Sequence, residues 1–548
     1  AIAEARERGV LSFGQRRLWF LGHLEPDSAA YSMPFALRLR GVLDRRALER
    51  ALGEVVERHE VLRTRYVDDD GEPRALVDPA TPLALVVEAV DSEDDLDAAL
   101  LAEAQRPFDL ADGPVLRARL LRRADGDHLL SLNIHHIAFD GWSYGVFRSE
   151  LATAYGHYAD GGAGPAIAEP AVAYADHAAR QHVLLRGERL DGLVDHWRRR
   201  LAGLEPLDLP ADRARPEWLD SPAASFGSTL PTPIADAVRG LARRQGTTLF
   251  TTLLAGFDVL LHALTGRVDF AVGVPDAGRG RTELEGVVGF FVDNLVLRTD
   301  LSGDPSFTEV VQRVQDTILD AREHADVPFE KLVEALQPER HVGRNPFFDV
   351  SFQVLDAQPT APFADLDVTD RTTHPGTAKF DLTLDLVDSG DGPLRVEIEW
   401  AAHLFDRETI ERWLALFGRL LDQVATDPDR RLSRLDLLAA DDIETIAAGH
   451  RHDPSYDPSV SLAELVARVA GERADALAAS YADGRLTYRQ LDRRARRLAA
   501  ALIGHGVAAG DRVGVCLPRS IDWPTAIVGI AYAGAAYVPL DPEYPLDR

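Results

Sequence analysis

One stretch of the chain constrains the fold more than any other, because its hydrophobic period changes within a few residues. Leu130, Leu132 and Ile134 occupy alternate positions, which is the two-residue period of a half-buried strand. From residue 147 onward, apolar side chains recur at the spacing of a helix. The sequence therefore predicts a strand that runs into His135 and His136, a short connection, and a helix.

Helical and strand patterns alternate along the rest of the chain and predict a mixed fold, α/β or α+β. Helical patterns lie near 189–202, 233–244, 250–265, 306–323 and 406–425, and strand patterns near 268–273, 292–298, 347–354, 379–387 and 394–400. A segment rich in Gly, Ala and Pro at 156–177 and a polar, proline-containing segment at 449–458 interrupt them. These breaks predict an N-terminal lobe at 1–177, a C-terminal lobe at 178–445, a linker at 446–460 and a further α/β unit at 461–548.

Size and charge exclude several classes of function. The 548 residues exceed the roughly 250–300 residues at which a single core stops growing, and the net charge of −28 argues against a nucleic acid or an anionic membrane as partner. The single cysteine, Cys516, excludes an internal disulfide. We find no secretory signal and no apolar run of the ~18–20 residues that span a bilayer. A cytoplasmic protein without a membrane partner is expected.

The paired histidines carry the clearest chemical signal. Adjacent residues of a strand point to opposite faces, so His135 and His136 cannot both bind one metal ion, and no metal site is predicted. A metal site is the weaker alternative. We expect His136 to face a cavity as the working residue, and His135 to be held by hydrogen bonds on the other face.

Asp140 and Gly141 follow the histidines at the start of the predicted helix. A carboxylate in this position either orients an imidazole or pairs with a cation, and Arg63, at the end of a charged helix, is the predicted cation. Removal of either member of such a pair would leave a buried charge, so Asp140 is assigned to structure. Gly141 is expected to let a ligand approach the backbone closely, and an ordinary turn glycine is the alternative.

The string His135-His136-x-x-x-Asp140-Gly141 resembles the signature of the condensation domains of non-ribosomal peptide synthetases, which are similar to chloramphenicol acetyltransferase. Six further segments resemble the other motifs of that family, in the family's order. They are residues 11–21 (LSFGQRRLWFL), 58–64 (RHEVLRT), 174–178 (YADHA), 288–298 (VGFFVDNLVLR), 325–333 (ADVPFEKLV) and 344–349 (RNPFFD). The resemblance covers residues 10 to about 355.

The resemblance implies two chloramphenicol acetyltransferase-like lobes in a V-shaped pseudodimer with a central tunnel. It also implies peptide-bond formation between a donor and an acceptor thioester. Phosphopantetheine arms of upstream and downstream carrier proteins would bring both, so no covalently bound cofactor is expected. His136 would act as a general base or as a hydrogen-bonding group. Trp142, Ser143, Asn294 and Arg344 are the tunnel candidates.

Two positions depart mildly from the family's pattern. Gly14 stands where alanine is common, and Phe139 stands where a small residue often sits, so Phe139 is expected to narrow the cavity. Heterocyclising relatives carry aspartates in place of the histidines, and inactive recruiting relatives lose parts of the motif. Neither change is present. The alternatives are a non-catalytic platform that binds carrier proteins, and an epimerising or other acyltransferase of the superfamily.

The end of the chain carries a second resemblance. Residues 486–491 (LTYRQL) and 533–542 (AGAAYVPLDP) resemble the first two motifs of adenylation domains. The chain ends before a phosphate-binding loop, so this part is not expected to activate amino acids or to use ATP. The chain also begins without Met. It is therefore expected to be a piece of a longer protein, monomeric as a piece, with an adjoining adenylation domain as partner.

Overall fold

The structure is a computed structural model. It describes residues 1–216, 222–338, 344–356, 361–373, 376–449, 457, 459–482 and 484–542. The chain forms two compact units, Ala1–Leu438 and Ala439–Arg548. Of the predicted linker 446–460, residues 446–449 end a helix, whereas 450–456 and 458 lie outside the described residues.

The first half of the larger unit holds six helices and six strands among the described residues. The helices are α1 (Ile2–Glu7), α2 (Phe13–Leu24), α3 (Arg45–Arg58), α4 (Glu93–Ala104), α5 (Gly141–Ala159) and α6 (Tyr174–Leu184). The strands are β1 (Ser32–Arg40), β2 (Thr64–Asp69), β3 (Glu72–Val77), β4 (Val86–Ala89), β5 (Leu116–Ala124) and β6 (Asp127–His135). Helix α6 runs through the predicted lobe boundary between residues 177 and 178.

The second half of this unit adds six helices and seven strands within the described ranges. The helices are α7 (Glu188–Arg200), α8 (Thr232–Gln245), α9 (Leu249–Thr265), α10 (Phe307–Glu323), α11 (Phe329–Leu336) and α12 (Arg407–Thr426). The strands are β7 (Ala223–Leu230), β8 (Asp269–Asp276), β9 (Asp293–Asp300), β10 (Val350–Asp356), β11 (Asp367–Thr372), β12 (Leu382–Asp388) and β13 (Leu394–Ala401).

Two sheets define two lobes, and one strand crosses between them. The first lobe is built on the order β11-β1-β6-β5-β4, and the second lobe on the order β7-β13-β12-β10-β8-β9. Strand β11 lies late in the chain but pairs antiparallel with β1 at the edge of the first sheet. Buried residues of the loop before β9, among them Val288 and Phe291, belong to the core of the first lobe. The two lobes are therefore interlocked by a strand and a loop.

The smaller unit is also α/β. Its helices are α13 (Ala440–Gly449), α14 (Leu462–Glu472), α15 (Tyr488–Gly504) and α16 (Asp522–Tyr532), and its strands are β14 (Leu477–Tyr481), β15 (Gly484–Thr487), β16 (Arg512–Cys516) and β17 (Ala536–Leu540). β14 and β15 pair antiparallel, and β16 and β17 pair parallel with α16 between them in the chain. The parallel pair needs such a crossover helix.

None of the helices that the structure describes is by itself long and apolar enough to cross a membrane. Helices α8 and α9 reach the required length and hydropathy only as a pair, and they meet at an angle of 111°. Most residues of α9 are buried in the core of the second lobe.

Asp258 on α9 is a buried acid that makes stability depend on pH. It is 1% exposed, and burial raises its pKa to about 7 against the opposing effect of the Thr299 hydroxyl. Because the folded chain favours the protonated acid, Asp258 lowers stability progressively as pH rises from about 4 through 7. We expect the stability of Asp258→Asn relative to the wild type to rise by about 2–3 kcal/mol as the pH increases from 5 to 8. Urea unfolding across this range measures the gain.

The exposed Asp391 offers the matched control, and Asp391→Asn should change stability equally little at every pH. A difference between Asp258→Asn and the wild type that stays constant from pH 5 to pH 8 would contradict the prediction.

Candidate functional site

The predicted strand and helix around the histidine pair are present, with a short turn between them. Strand β6 lies between β1 and β5 and ends at His135. His136 begins a 3₁₀ turn, His136–Ala138, and its backbone N–H donates to the Tyr31 carbonyl at 2.8 Å. Helix α5 follows from Gly141. His136 is therefore a turn residue beside the sheet, not the last residue of the strand as its period predicts.

The His136 ring is held by its own turn. Its Nδ1 lies 2.7 Å from the Phe139 carbonyl oxygen, and because a carbonyl only accepts, Nδ1 carries the proton. In the neutral ring, Nε2 then carries the lone pair. The side chain is half-buried. The turn thus presents an imidazole nitrogen that accepts a hydrogen bond or a proton.

The surroundings keep this imidazole neutral. Burial lowers the pKa of His136 to about 3, with a further contribution from the Lys379 and Arg17 cations. Lys379 is exposed, yet desolvation lowers its pKa as well. Its Nζ lies 5.5 Å from the centre of the Tyr31 ring. Arg17 from the first lobe and Lys379 from the second lobe therefore both lower the pKa of His136.

His135 is buried and has the opposite tautomer. Its Nδ1 accepts the Ile137 N–H at 3.0 Å, which leaves the proton on Nε2 in the neutral ring. The ring packs edge-on against Phe108, with ring centres 5.6 Å apart. Burial lowers the pKa of His135 to about 3. These contacts fit the supporting role that we predict for His135.

Asp140 is paired with Arg279, so the prediction that it pairs with Arg63 is wrong. Arg279 Nη1 lies 2.9 Å and Nη2 3.3 Å from the two carboxylate oxygens. The side chains of Asp140 and Arg279 are 1% and 2% exposed. Arg63 instead donates to the carbonyls of Asp78 and Glu57, at 2.5 Å and 3.4 Å, and ties the β2–β3 hairpin to the end of α3.

Asp140 also joins the first lobe to the loop before β9. Its Oδ1 accepts the Ser143 N–H at 2.8 Å and so caps α5, and its Oδ2 accepts the Phe291 N–H at 2.9 Å. Ser143 Oγ bonds both the N–H and the carbonyl of Gly289, each at 3.0 Å. Ser143 is fully buried, so the prediction that it lines a tunnel is wrong. The hydroxyl is buried because it bonds the Gly289 backbone and Arg279 Nη2.

The remaining predicted residues lie at separate places. Gly141 has no positive φ, and a Cβ there would meet no described atom within 4 Å, so room for a ligand at Gly141 stays a prediction.

Trp142 is 45% exposed, and its Nε1 donates to the Glu285 carbonyl. Asn294 is half-buried at the start of β9. Arg344 forms ion pairs with Asp349 and Asp208 in the second lobe. Their role in a tunnel remains a prediction.

Phe290, and not Phe139, crowds His136. Phe139 is fully buried and its ring stacks on Phe35 with centres 5.7 Å apart, so it fills the core. The Phe290 ring lies edge-on to His136 with centres 4.9 Å apart. A Cβ at Gly14 would come within 2.8 Å of the Phe290 ring. The glycine at position 14 therefore makes room for Phe290.

Arg279, Phe290 and Lys379 were not predicted from the sequence. Arg279 follows the buried strand β8 and lies between two glycines; Gly278 has φ +64°, and a Cβ there would come within 2.2 Å of the Phe291 carbonyl. An arginine between two glycines in a tight turn could have been recognised in the sequence as a candidate site residue. Lys379 is one of only two lysines in the chain, and this rarity could have marked it as a second candidate. No feature of the sequence marked Phe290, because its position beside His136 depends on contact with the distant Gly14.

Two family models match successive parts of the chain. Residues 6–446 match the condensation domain family, and residues 466–548 match the AMP-binding enzyme family. The chain is 40% identical to a linear gramicidin synthase of Brevibacillus parabrevis over 561 residues, which is 100% of this chain and 11% of that protein. The chain thus spans about a tenth of the length of that curated relative.

Solved structures are similar as well. The X-domain in its complex with OxyB from teicoplanin biosynthesis is 34% identical and superposes with a TM-score of 0.72 over 79% of this chain and 96% of that one. A four-domain nonribosomal peptide synthetase bound to AMP and glycine has a TM-score of 0.81 over 98% of this chain and 42% of that one; at 24% identity it shows the fold alone. The predicted mixed α/β fold of chloramphenicol acetyltransferase type, followed by part of an adenylation domain, is confirmed by these matches.

Proposed function

The chain belongs to the condensation domain family, and on that premise we propose that it forms a peptide bond between two carrier-bound thioesters. The amine of an acceptor aminoacyl thioester attacks the thioester carbonyl of a donor. The new C–N bond forms as the donor C–S bond breaks, and the proton lost by the amine goes to the leaving thiolate. Phosphopantetheine arms of upstream and downstream carrier proteins bring both substrates, so the chain itself needs no bound cofactor.

The observation that carries this proposal is the lone pair that the hydrogen bond of Nδ1 leaves on His136 Nε2. With Nδ1 bonded to Phe139 and the pKa lowered to about 3, the ring is neutral at pH 7 and accepts a hydrogen bond from an attacking amine. Holding the amine and the activated carbonyl together supplies much of the acceleration. His136 would orient the amine, take its proton, or do both.

Other residues position this histidine. The pair formed by Asp140 and Arg279 fixes the start of α5 and the loop that carries Phe290. His135 fixes the turn through Ile137 N–H. A neighbouring adenylation domain would select the acceptor, and the chain would work in the cytoplasm without nucleic acid or membrane.

A second candidate is a platform that recruits another protein. It is supported by the similarity to an X-domain solved in complex with OxyB. The intact pair His135-His136 favours catalysis, since the resemblance ascribes altered motifs to inactive recruiting relatives. The two candidates differ in whether a product forms.

The deciding experiment mixes the chain with a donor carrier protein and an acceptor carrier protein, each loaded with an aminoacyl group. Intact mass spectrometry of the acceptor carrier should show the mass of the dipeptidyl product. Donors of either configuration at the reacting residue are compared in parallel. Binding of both carriers without product from either donor would favour the platform.

Gly14→Ala tests the contact between Gly14 and Phe290. The new Cβ must displace the Phe290 ring, which lies against His136, and small displacements at a reacting centre are costly. We expect a roughly tenfold loss of turnover with little loss of thermal stability, since alanine also favours the helix. Rates of dipeptide formation and melting curves measure the two effects.

The matched control is Gly53→Ala on α3, where a Cβ would meet nothing within 4 Å. Adding Phe290→Ala to Gly14→Ala should restore most of the turnover. If Gly14→Ala alone leaves turnover unchanged, the ring does not shape the reacting centre.

A further inference from the structure

Two histidines and an aspartate come together on the second lobe, outside the site described above. His196 lies on α7, Asp320 on the last turn of α10, and His324 caps the end of α10. One nitrogen of each imidazole and one carboxylate oxygen lie within 4.8 Å of one another. All three residues are half-buried.

The hydrogen bonds around this cluster leave ligand atoms free. His324 Nδ1 lies 2.8 Å from the Asp320 carbonyl oxygen and donates to it, so Nε2 has the lone pair. Histidines that bind metal ions commonly hold their second nitrogen in this way. His196 Nε2 lies 3.3 Å from the Asp320 carboxylate, but it is buried and makes no hydrogen bond to the residues that the structure describes.

Two stacked rings and one competing cation surround the Asp320 carboxylate. The His196 and His324 rings are stacked, with centres 3.5 Å apart and planes 4° apart. Arg200 is the competing cation, with Nε 3.7 Å from the Asp320 carboxylate. Arg200 Nη2 bonds Thr317 Oγ1 at 3.0 Å instead.

We propose that His196, Asp320 and His324 bind a divalent transition-metal ion, for which Zn²⁺ is the best match. Two imidazoles and a carboxylate are ligands that Zn²⁺ prefers, at about 2.0–2.2 Å. Rotation of one ring about its Cβ–Cγ bond is needed, because the lone pairs of parallel rings do not converge. The fourth position belongs to water. The bound ion would link α7 to the end of α10, whereas the sequence, considered only at the pair His135-His136, predicts no metal site.

Titration of the whole chain with Zn²⁺ at pH 7.5, after treatment with EDTA and dialysis, tests the proposal. Calorimetry should give one ion per chain and a rise in Tm with added Zn²⁺. His196→Gln and His324→Gln should each raise Kd about tenfold or more. Circular dichroism without metal checks that both variants fold. Absence of saturable binding, or wild-type affinity in both variants, would overturn the site.

The chain contains 17 histidines, so binding elsewhere has to be separated from binding at this cluster. His262 is half-buried on the same lobe, and its Nδ1 is bonded to the Arg267 carbonyl; His262→Gln should leave Kd unchanged. Arg200→Gln removes the cation that competes for Asp320 and should lower Kd a few-fold. An unchanged or higher Kd in Arg200→Gln would contradict the role of Asp320 as a ligand.

Discussion

Asp140→Ala is expected to lower the free energy of unfolding by about 3–5 kcal/mol, because it leaves the Arg279 guanidinium buried without a counter-charge. Both side chains are almost fully buried. The substitution also removes the acceptor for the N–H groups of Ser143 and Phe291. Chemical denaturation measures the loss, and the yield of folded protein should fall with it.

Asp44→Ala is the matched control for the capping part of this effect. Asp44 caps α3 through the Ala47 N–H at 3.0 Å, but it is exposed and forms no ion pair among the described residues. Removal of the Asp44 side chain should lower the free energy of unfolding by only about 1 kcal/mol. The double variant Asp140→Asn with Arg279→Gln should lose less stability than the sum of the losses in the two single variants. If Asp140→Ala and Asp44→Ala are equally stable, the pair with Arg279 does not stabilise the chain.

His136→Ala is expected to keep the fold and to lose about 10²–10⁴-fold in the rate of dipeptide formation, the usual contribution of a general acid or base. Its side chain is half-buried, and the one hydrogen bond described for the ring joins it to its own turn. The wild type should show no loss of rate from protonation of His136 between pH 8 and pH 6, because its pKa is lowered to about 3. Turnover within about threefold of the wild type would remove His136 from the mechanism.

Two conservative variants of His136 separate a base from a hydrogen-bond acceptor. His136→Asn places an amide where Nδ1 lies and keeps the bond to Phe139, whereas His136→Gln places an amide oxygen near the position of Nε2. If accepting a hydrogen bond suffices, His136→Gln keeps most of the activity and His136→Asn does not. If a proton must be taken, both variants fall to the level of His136→Ala.

Local patterns predicted most central elements of the fold. Strand β6, helix α5 and helices α7 to α10 lie within a few residues of the predicted ranges, because their apolar residues follow one period and fill one core. Strands β7 and β11 were not predicted. Both lie at the edge of a sheet, where polar residues replace the alternating apolar pattern.

The sequence by itself determined which residue types are available at the site and on which local elements they lie. His135, His136, Asp140 and Gly141 are close in the chain, so a strand, a turn and a helix place them without help from the rest of the protein. The tertiary structure alone decided which groups meet them. Asp140 takes Arg279, 139 residues away, and not Arg63, and Phe290 reaches His136 through the space left by Gly14. Pairing and crowding depend on how the two lobes interlock, and no local period encodes contacts between residues so far apart in the chain.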